Sequence, residues 1–269
     1  QSSGFVTFFS SKECISDMSI FISMGSLGFA FGPLLVTFVA QMAGLEKVAY
    51  TCILGLFWAF CMFLFVPKLS RTESKPIRKD FFLSFKEILS HRQIDYLLLI
   101  SMMKSLITSS TSILLPFLWK DLGYSPVYIG SALFLFVFMG ALGSFVSSKL
   151  EKLYGSKTLI YISLWATCPL MFLFAMAYKT HPVFSIIIFA LMGFVTLLAQ
   201  PVTLVWAQKI MPKYRSIISG FINGFSWGVI AILMSLLGFL AQKFGIINML
   251  IILSFVPPFA SCCVKYLKE

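Results

Sequence analysis

The stretch that decides the fold is residues 122–148, LGYSPVYIGSALFLFVFMGALGSFVSS, which contains no charged residue. A helix needs about 20 mostly apolar residues to cross the ~30 Å hydrocarbon core of a bilayer, and a charge inside that core is costly. The run exceeds this length and is apolar over most of it. It therefore predicts a membrane-spanning helix.

Similar runs occupy most of the remaining chain, which is 59% hydrophobic and 12% charged and so too apolar for a water-soluble domain. The strands of a membrane β-barrel are about 10 residues long and alternate in polarity, and these runs share neither property. We therefore predict an all-α membrane protein with about eight transmembrane helices. The other uncharged runs are residues 18–45, 48–67, 158–178, 180–208, 216–242 and 244–264, and residues 96–119 form a run broken only by Lys104.

The basic residues predict the orientation in the membrane. When alternate loops are placed on opposite sides, sixteen of the 21 basic residues fall on one side, four on the other, and Lys104 lies inside a span. Loops rich in Lys and Arg stay in the cytoplasm. We predict an integral protein of the bacterial cytoplasmic membrane with its C-terminus in the cytoplasm. The net charge of +11 then reflects topology, and no nucleic-acid partner is expected.

The chain lacks the residue clusters that catalysis or metal binding requires. His91 and His181 fall on opposite sides of the predicted membrane, and the six cysteines do not have the spacing of metal ligands. No Ser-His-Asp or phosphate-binding arrangement is present in the sequence. We therefore expect no enzymatic activity, no catalytic residue, no metal and no cofactor.

One long polar segment divides the chain. Residues 67–95 follow the second span, carry most of their charge as Lys and Arg, and include an amphipathic piece at 81–94. Such a segment is typical of a linker on the membrane surface. The chain begins without Met, and its first residues are similar to the end of a helix, so we expect the protein to extend further on the N-terminal side. The predicted units are residues 1–66, 67–95 and 96–269.

An internal repeat supports this division. Residues 19–28 of the first span share Ser, Phe, Ile and Gly with residues 219–228, at the same spacing. Both copies start on the predicted cytoplasmic side, as in transporters built from parallel repeats.

These features resemble the major facilitator superfamily, whose members join two six-helix halves by a long cytoplasmic loop. The resemblance implies a major facilitator fold, with the spans corresponding to helices 5 to 12 of an expected twelve. Residues 1–66 would be the end of the N-terminal half, with helices 5 and 6 preceded by the tail of helix 4. Residues 67–95 would be the linker, and 96–269 the complete C-terminal half.

Three segments carry the resemblance. Gly28-Phe-Ala-Phe-Gly32-Pro33 resembles the G-x-x-x-G-P motif in the fifth helix of the family's proton-coupled antiporters. Residues 148–157 resemble its second loop motif, in which Leu150, Gly155 and Lys157 fit while Ser148, Lys152 and Leu153 depart. Residues 208–228 are similar to a segment of the fosmidomycin-resistance branch, with Lys209 and Ser216 as departures.

The resemblance implies a secondary transporter that exports a drug or small metabolite in exchange for protons. Its partners would be the lipid bilayer, a small-molecule substrate and protons, with the proton gradient as energy source, and it would act as a monomer. Two alternatives stay open at this point: an uptake or exchange carrier for a small organic anion, and an inactive truncated transporter.

The main candidate for the substrate site is Lys104, the one charged residue well inside a span. A charge at the centre of the membrane costs about 2.5–3.5 kcal/mol on insertion scales, and charged residues at such positions often have a function. Ser101, Ser105, Thr108 and Ser112 lie on the same helix face at spacings of three and four. We predict that this stripe lines a central cavity in which Lys104 attracts an anion or senses protonation. The alternative is a lysine that reaches the interface beside serines bonded to their own backbone.

Other candidates lie in the last three spans. Asn223 is part of a polar stripe with Ser216, Ser219 and Ser226, and it either lines the cavity or bonds to another helix. Gln200 and Trp206 are further cavity candidates. Gly220, Gly224 and Gly228 recur at a spacing of four, which predicts close packing against a neighbouring helix.

Two further expectations concern the mechanism. Pro33 removes a backbone hydrogen bond, which predicts a kink, and Gly32 allows close packing beside it. None of the uncharged runs contains Asp or Glu. Any carboxylate that carries the coupling proton is therefore expected in N-terminal helices that precede this chain.

Overall fold

The computed structural model describes residues 14–65, 90–179 and 181–267, and within these ranges it contains helices and connecting turns but no strand. Seven of its helical stretches are long and apolar enough to cross a membrane. The all-α membrane fold predicted from the sequence is thus confirmed. The seven stretches are Ile15–Ala43, Arg92–Asp121, Pro126–Tyr154, Ser156–Ala177, Pro182–Ile210, Pro212–Phe244 and Ile246–Val264.

The predicted span at residues 48–67 is described in part. It contains the short turn Leu45–Thr51 and the helix Cys52–Phe65, and its last two positions lie outside the described residues. Residues 67–89 of the predicted linker, and with them most of the amphipathic piece, also lie outside. The next helix begins at Arg92, earlier than the predicted position 96. The division into units of 1–66, 67–95 and 96–269 stays a prediction.

Prolines divide three of the long stretches into shorter helices. The breaks lie at Ala166, Ala199 and Phe255, each two or three residues before a proline at 169, 201 or 257. A proline has no N–H to donate and its ring clashes with the carbonyl four residues earlier, so the helix is interrupted there. The resulting helices are α1 (Cys14–Ala43), α2 (Cys52–Phe65), α3 (Arg92–Asp121), α4 (Pro126–Tyr154), α5 (Ser156–Trp165), α6 (Thr167–Ala177), α7 (Pro182–Leu198), α8 (Gln200–Ile210), α9 (Arg215–Gly220), α10 (Ser226–Phe244), α11 (Ile246–Ser254) and α12 (Val256–Val264).

The carbonyl released by Pro201 finds another donor. Leu197 lies four residues before that proline, and its carbonyl oxygen accepts a hydrogen bond of 3.0 Å from the Ser144 hydroxyl on α4. An unpaired carbonyl inside hydrocarbon is costly, so a neighbouring helix that supplies a hydroxyl makes the break tolerable. The break between α7 and α8 is therefore tied to the packing of α4.

Helices α4 and α7 approach so closely that their backbones are in contact. A Cβ atom on Gly193 would overlap the carbonyl oxygen of Phe136, and one on Gly143 would overlap the carbonyl oxygen of Phe194. Gly140 packs in the same way against the side chain of Leu197. Since membrane helices associate by van der Waals contact, small residues at the crossing allow the closest fit. This crossing holds α4 in the position from which it contacts α1.

Helix α1 packs along the other side of α4. The opposing residues are Gly130 on α4 and Pro33 and Thr37 on α1, whose atoms would collide with a Cβ at Gly130. The Thr37 hydroxyl donates a hydrogen bond of 2.8 Å to the Pro33 carbonyl oxygen within α1. The described part of the first predicted unit is thereby joined to the helices that follow residue 96.

Candidate functional site

A polar cavity of about 40 Å³ lies among α3, the α7–α8 break and the segment that joins α9 to α10. Six of the seven residues predicted to form a substrate cavity line it. The structure therefore brings together positions that are more than a hundred residues apart in the sequence. The six are Ser101, Lys104, Ser105, Thr108, Gln200 and Asn223, and the lining is completed by Thr196, Leu197, Thr203, Leu204, Ile222 and Trp227.

Lys104 is the charged residue of this cavity. Its side chain is only 8% exposed, and its Nζ atom has no hydrogen-bond partner among the described residues. Ser101, Ser105 and Thr108 lie at helical spacing on the same face of α3 as Lys104, and all four side chains line the cavity. The Thr108 hydroxyl donates a hydrogen bond of 2.9 Å to the Lys104 carbonyl oxygen, so this part of the stripe does bond to its own backbone. The amine itself is left facing a polar space.

The two amide side chains of the cavity lie where helices are irregular. Gln200 is the first residue of α8, directly after the break at Ala199, and Asn223 lies within the π-helical turn Phe221–Phe225. Such turns are rare and occur often at functional sites. Trp227, four residues after Asn223, lines the cavity with it, whereas Ser226 does not. The predicted polar stripe on this span is therefore divided, and Ser219 instead accepts a hydrogen bond from Gln208.

A larger and more apolar chamber, of about 1000 Å³, adjoins the polar cavity. The side chains of Thr108, Leu197, Gln200 and Trp227 line both spaces. Ser112, the last member of the predicted stripe on α3, lines the chamber. The remaining lining is mainly aromatic and aliphatic, and includes Phe21, Met24, Phe29, Phe136 and Val137.

Asp17 also lines the chamber, and the sequence reasoning missed it. Asp17 lies in the first turn of the stretch that starts at Ile15 and directly precedes the uncharged run that starts at residue 18. The expectation that the coupling carboxylate lies in N-terminal helices outside this chain stays a prediction. The signal that could have found Asp17 is its helical spacing with Phe21 and Met24, which also line the chamber.

Trp206 lies away from both spaces. It lines a separate pocket with Glu151, Gly155 and Lys209, at the end of the helices that carries the loop of residues 148–157. The prediction that placed Trp206 in the central cavity is corrected by its position along α8. It lies about one turn beyond Thr203, where it packs with the cluster that contains Ile94 and Ile218.

The loop motif forms a tight connection between α4 and α5. Gly155 has a φ of 81°, a conformation that glycine adopts without strain, and its N–H donates a hydrogen bond of 2.8 Å to the Glu151 carbonyl oxygen. The Ser156 hydroxyl donates to the Glu151 carboxylate at 2.9 Å. Leu150 packs beside the cluster of Leu159, Leu198 and Val202, while Lys157 is half-buried.

The glycines of the two predicted packing stripes face open space in the described part of the chain. No described atom lies within 4 Å of a Cβ placed on Gly28 or Gly32 of α1, or on Gly220, Gly224 or Gly228. Pro33 itself faces α4, as its contact with Gly130 shows. Close packing at these five glycines stays a prediction.

Comparison with known proteins gives two matches. The family model described as Major Facilitator Superfamily matches residues 5–234. The chain is also 32% identical over 127 residues to the uncharacterized MFS-type transporter YfnC of Bacillus subtilis (strain 168). That alignment covers 47% of this chain and 30% of YfnC, so the chain spans less than two thirds of this relative's length.

Proposed function

The chain belongs to the major facilitator superfamily, and from that premise we propose that the intact protein is a secondary active transporter that binds a small organic anion at Lys104. Transport follows the family's alternating access, in which two halves rock about a site near the middle of the membrane. The substrate enters the polar cavity and the adjoining chamber from one side and leaves from the other. The transporter acts as a monomer in the bacterial cytoplasmic membrane.

The observation that carries this proposal is the unpartnered amine of Lys104. A lysine that is 8% exposed and lacks a partner among the described residues is costly unless something else compensates its charge. The described residues that line its cavity are neutral apart from Lys104 itself. An anionic group that enters the cavity supplies the missing partner through a charge-assisted hydrogen bond.

The neutral polar residues around the amine support an anion site. The amide of Gln200, the amide of Asn223 and the hydroxyls of the α3 stripe provide donors that can bind the remaining oxygens of a carboxylate or phosphonate. Gln200 and Asn223 lie at a helix break and a π turn, where the backbone adjusts at lower cost than within a regular helix. These two positions are therefore suited to a site that changes shape during transport.

We further propose export in exchange for protons, as in the drug–proton antiporters of the fosmidomycin-resistance branch. The support for this assignment is sequence resemblance: the Gly28, Gly32 and Pro33 motif on α1, and the segment from Gln208 to Gly228. The third resembling segment, the loop motif of residues 148–157, forms a compact turn at Gly155 between α4 and α5.

The test is transport in membrane vesicles under an imposed proton gradient, with toxic phosphonates as anions and quaternary ammonium compounds as cations. Lys104→Gln should reduce anion transport at least about tenfold, since a hydrogen bond to a charged group is lost. Lys104→Arg should retain part of the anion transport. Lys120→Gln is the matched control, because Lys120 lies on the same helix but is exposed. Normal anion transport by Lys104→Gln, with the protein inserted, would refute the proposal.

A second candidate is an uptake or exchange carrier for a small organic anion. It is favoured by the lining of the Lys104 cavity, which includes no acidic residue among those described. The direction of transport separates the two candidates. Export requires that substrate moves against the flow of protons, whereas an exchanger moves labelled anion only when unlabelled anion is present on the opposite side.

A further inference from the structure

The chamber and the polar cavity together hold two opposite charges. Asp17 is the one charged residue among those that line the chamber, and Lys104 is the one charged residue among those that line the cavity. The two spaces adjoin, and Thr108 and Gln200 line both of them. A molecule that occupies both spaces therefore meets a carboxylate and an ammonium group.

The packing of α1 links Asp17 to the wall of the Lys104 cavity. Met18, the next residue, is fully buried against Leu204 and Val205 of α8. Leu204 in turn lines the cavity that contains Lys104. Asp17 is half-buried in the first turn of α1, directly before this contact.

The two charges do not neutralise each other. The Lys104 amine has no hydrogen-bond partner among the described residues, Asp17 included. A ligand with a single charge leaves the opposite charge of the site without a partner. A ligand with one positive and one negative group compensates both.

We infer that the transported molecule is a zwitterion whose anionic group binds Lys104 and whose cationic group binds Asp17. This inference rests on the proposed function and specifies its substrate class. The body of the molecule is apolar or aromatic, because Phe21, Phe29, Phe136 and Trp227 line the space between the charges. The aromatic rings also favour a cationic group through cation–π contacts.

The experiment measures binding to the intact protein in lipid nanodiscs. Three probes share an aromatic ring: para-aminomethylphenylacetate carries both charges, phenylacetate only the negative charge, and benzylamine only the positive charge. The zwitterion should bind at least about tenfold more tightly than either relative, because each charged hydrogen bond contributes about that factor. Equal affinities for the zwitterion and phenylacetate would overturn the inference.

Substitutions then assign each charge to its residue. Asp17→Asn should lower the affinity for the zwitterion to that for phenylacetate and leave phenylacetate binding unchanged, whereas Asp17→Glu should retain the preference. Asp121→Asn is the matched control, since Asp121 is exposed and does not line either space. If Asp17→Asn keeps the full preference, the inference fails. If Lys104→Gln leaves phenylacetate binding unchanged, the proposed anion site fails instead.

Discussion

Replacement of Gly193 by alanine should destabilise the protein by about 2 kcal/mol. The added methyl group would overlap the carbonyl oxygen of Phe136, which belongs to the backbone and cannot turn aside as a side chain could. Overpacking of this kind costs about 1–3 kcal/mol. Separation of α4 from α7 would also weaken the contacts at Gly140 and Gly143. Because this clash is with backbone, we take the upper end of that range, about 3 kcal/mol, and the better helix propensity of alanine returns about 0.5–1 kcal/mol, which leaves a net loss of about 2 kcal/mol.

The free energy of unfolding can be measured in mixed micelles by titration with sodium dodecyl sulfate. Gly224→Ala is the control, because no described atom lies within 4 Å of the position its Cβ would occupy. We expect Gly193→Ala to unfold at a clearly lower detergent fraction than the control. Equal stability of Gly193→Ala and the unmodified protein would refute the close backbone contact between α4 and α7.

Three further predictions follow from individual contacts. Lys104→Met should raise the free energy of unfolding by up to about 2.5–3.5 kcal/mol in the same titration, because it removes a buried charge without a partner; a loss of stability would show that the amine has a structural partner. Ser144→Ala should cost about 0.6–1.7 kcal/mol, since the Leu197 carbonyl loses its donor, while the exposed Ser235→Ala should cost nothing measurable. Asn223→Ala should weaken binding of phenylacetate at least about threefold. Trp206→Phe should leave this binding unchanged, because Trp206 lies in a separate pocket. Weaker binding by Trp206→Phe and normal binding by Asn223→Ala would contradict the placement of both residues.

The sequence was sufficient for the membrane helices and for most of the cavity. Length and lack of charge identify the spans, since the bilayer imposes both requirements. The stripe on α3 was predictable because Ser101, Lys104, Ser105 and Thr108 lie on one regular helix, where spacing determines the face.

Irregular backbone explains what the sequence did not reveal. Spacings of three and four both place residues on one helix face, so the sequence alone could not tell whether Ser226 or Trp227 lines the cavity with Asn223. Trp206 was placed in the cavity without knowledge of how α8 is rotated after the break at Ala199. Gly140, Gly143 and Gly193 were not singled out, because a close crossing depends on two helices that are distant in sequence.

The most direct test of the central claim is chemical labelling of Ser105→Cys in a protein whose six native cysteines are replaced by serine. Ser105 lines the cavity beside Lys104, so a charged methanethiosulfonate reagent should label it, and phenylacetate should slow the labelling. In the presence of Lys104→Gln, labelling should persist while the protection by phenylacetate disappears. Labelling that phenylacetate slows equally with and without Lys104 would contradict the assignment of Lys104 as the residue that binds the anion.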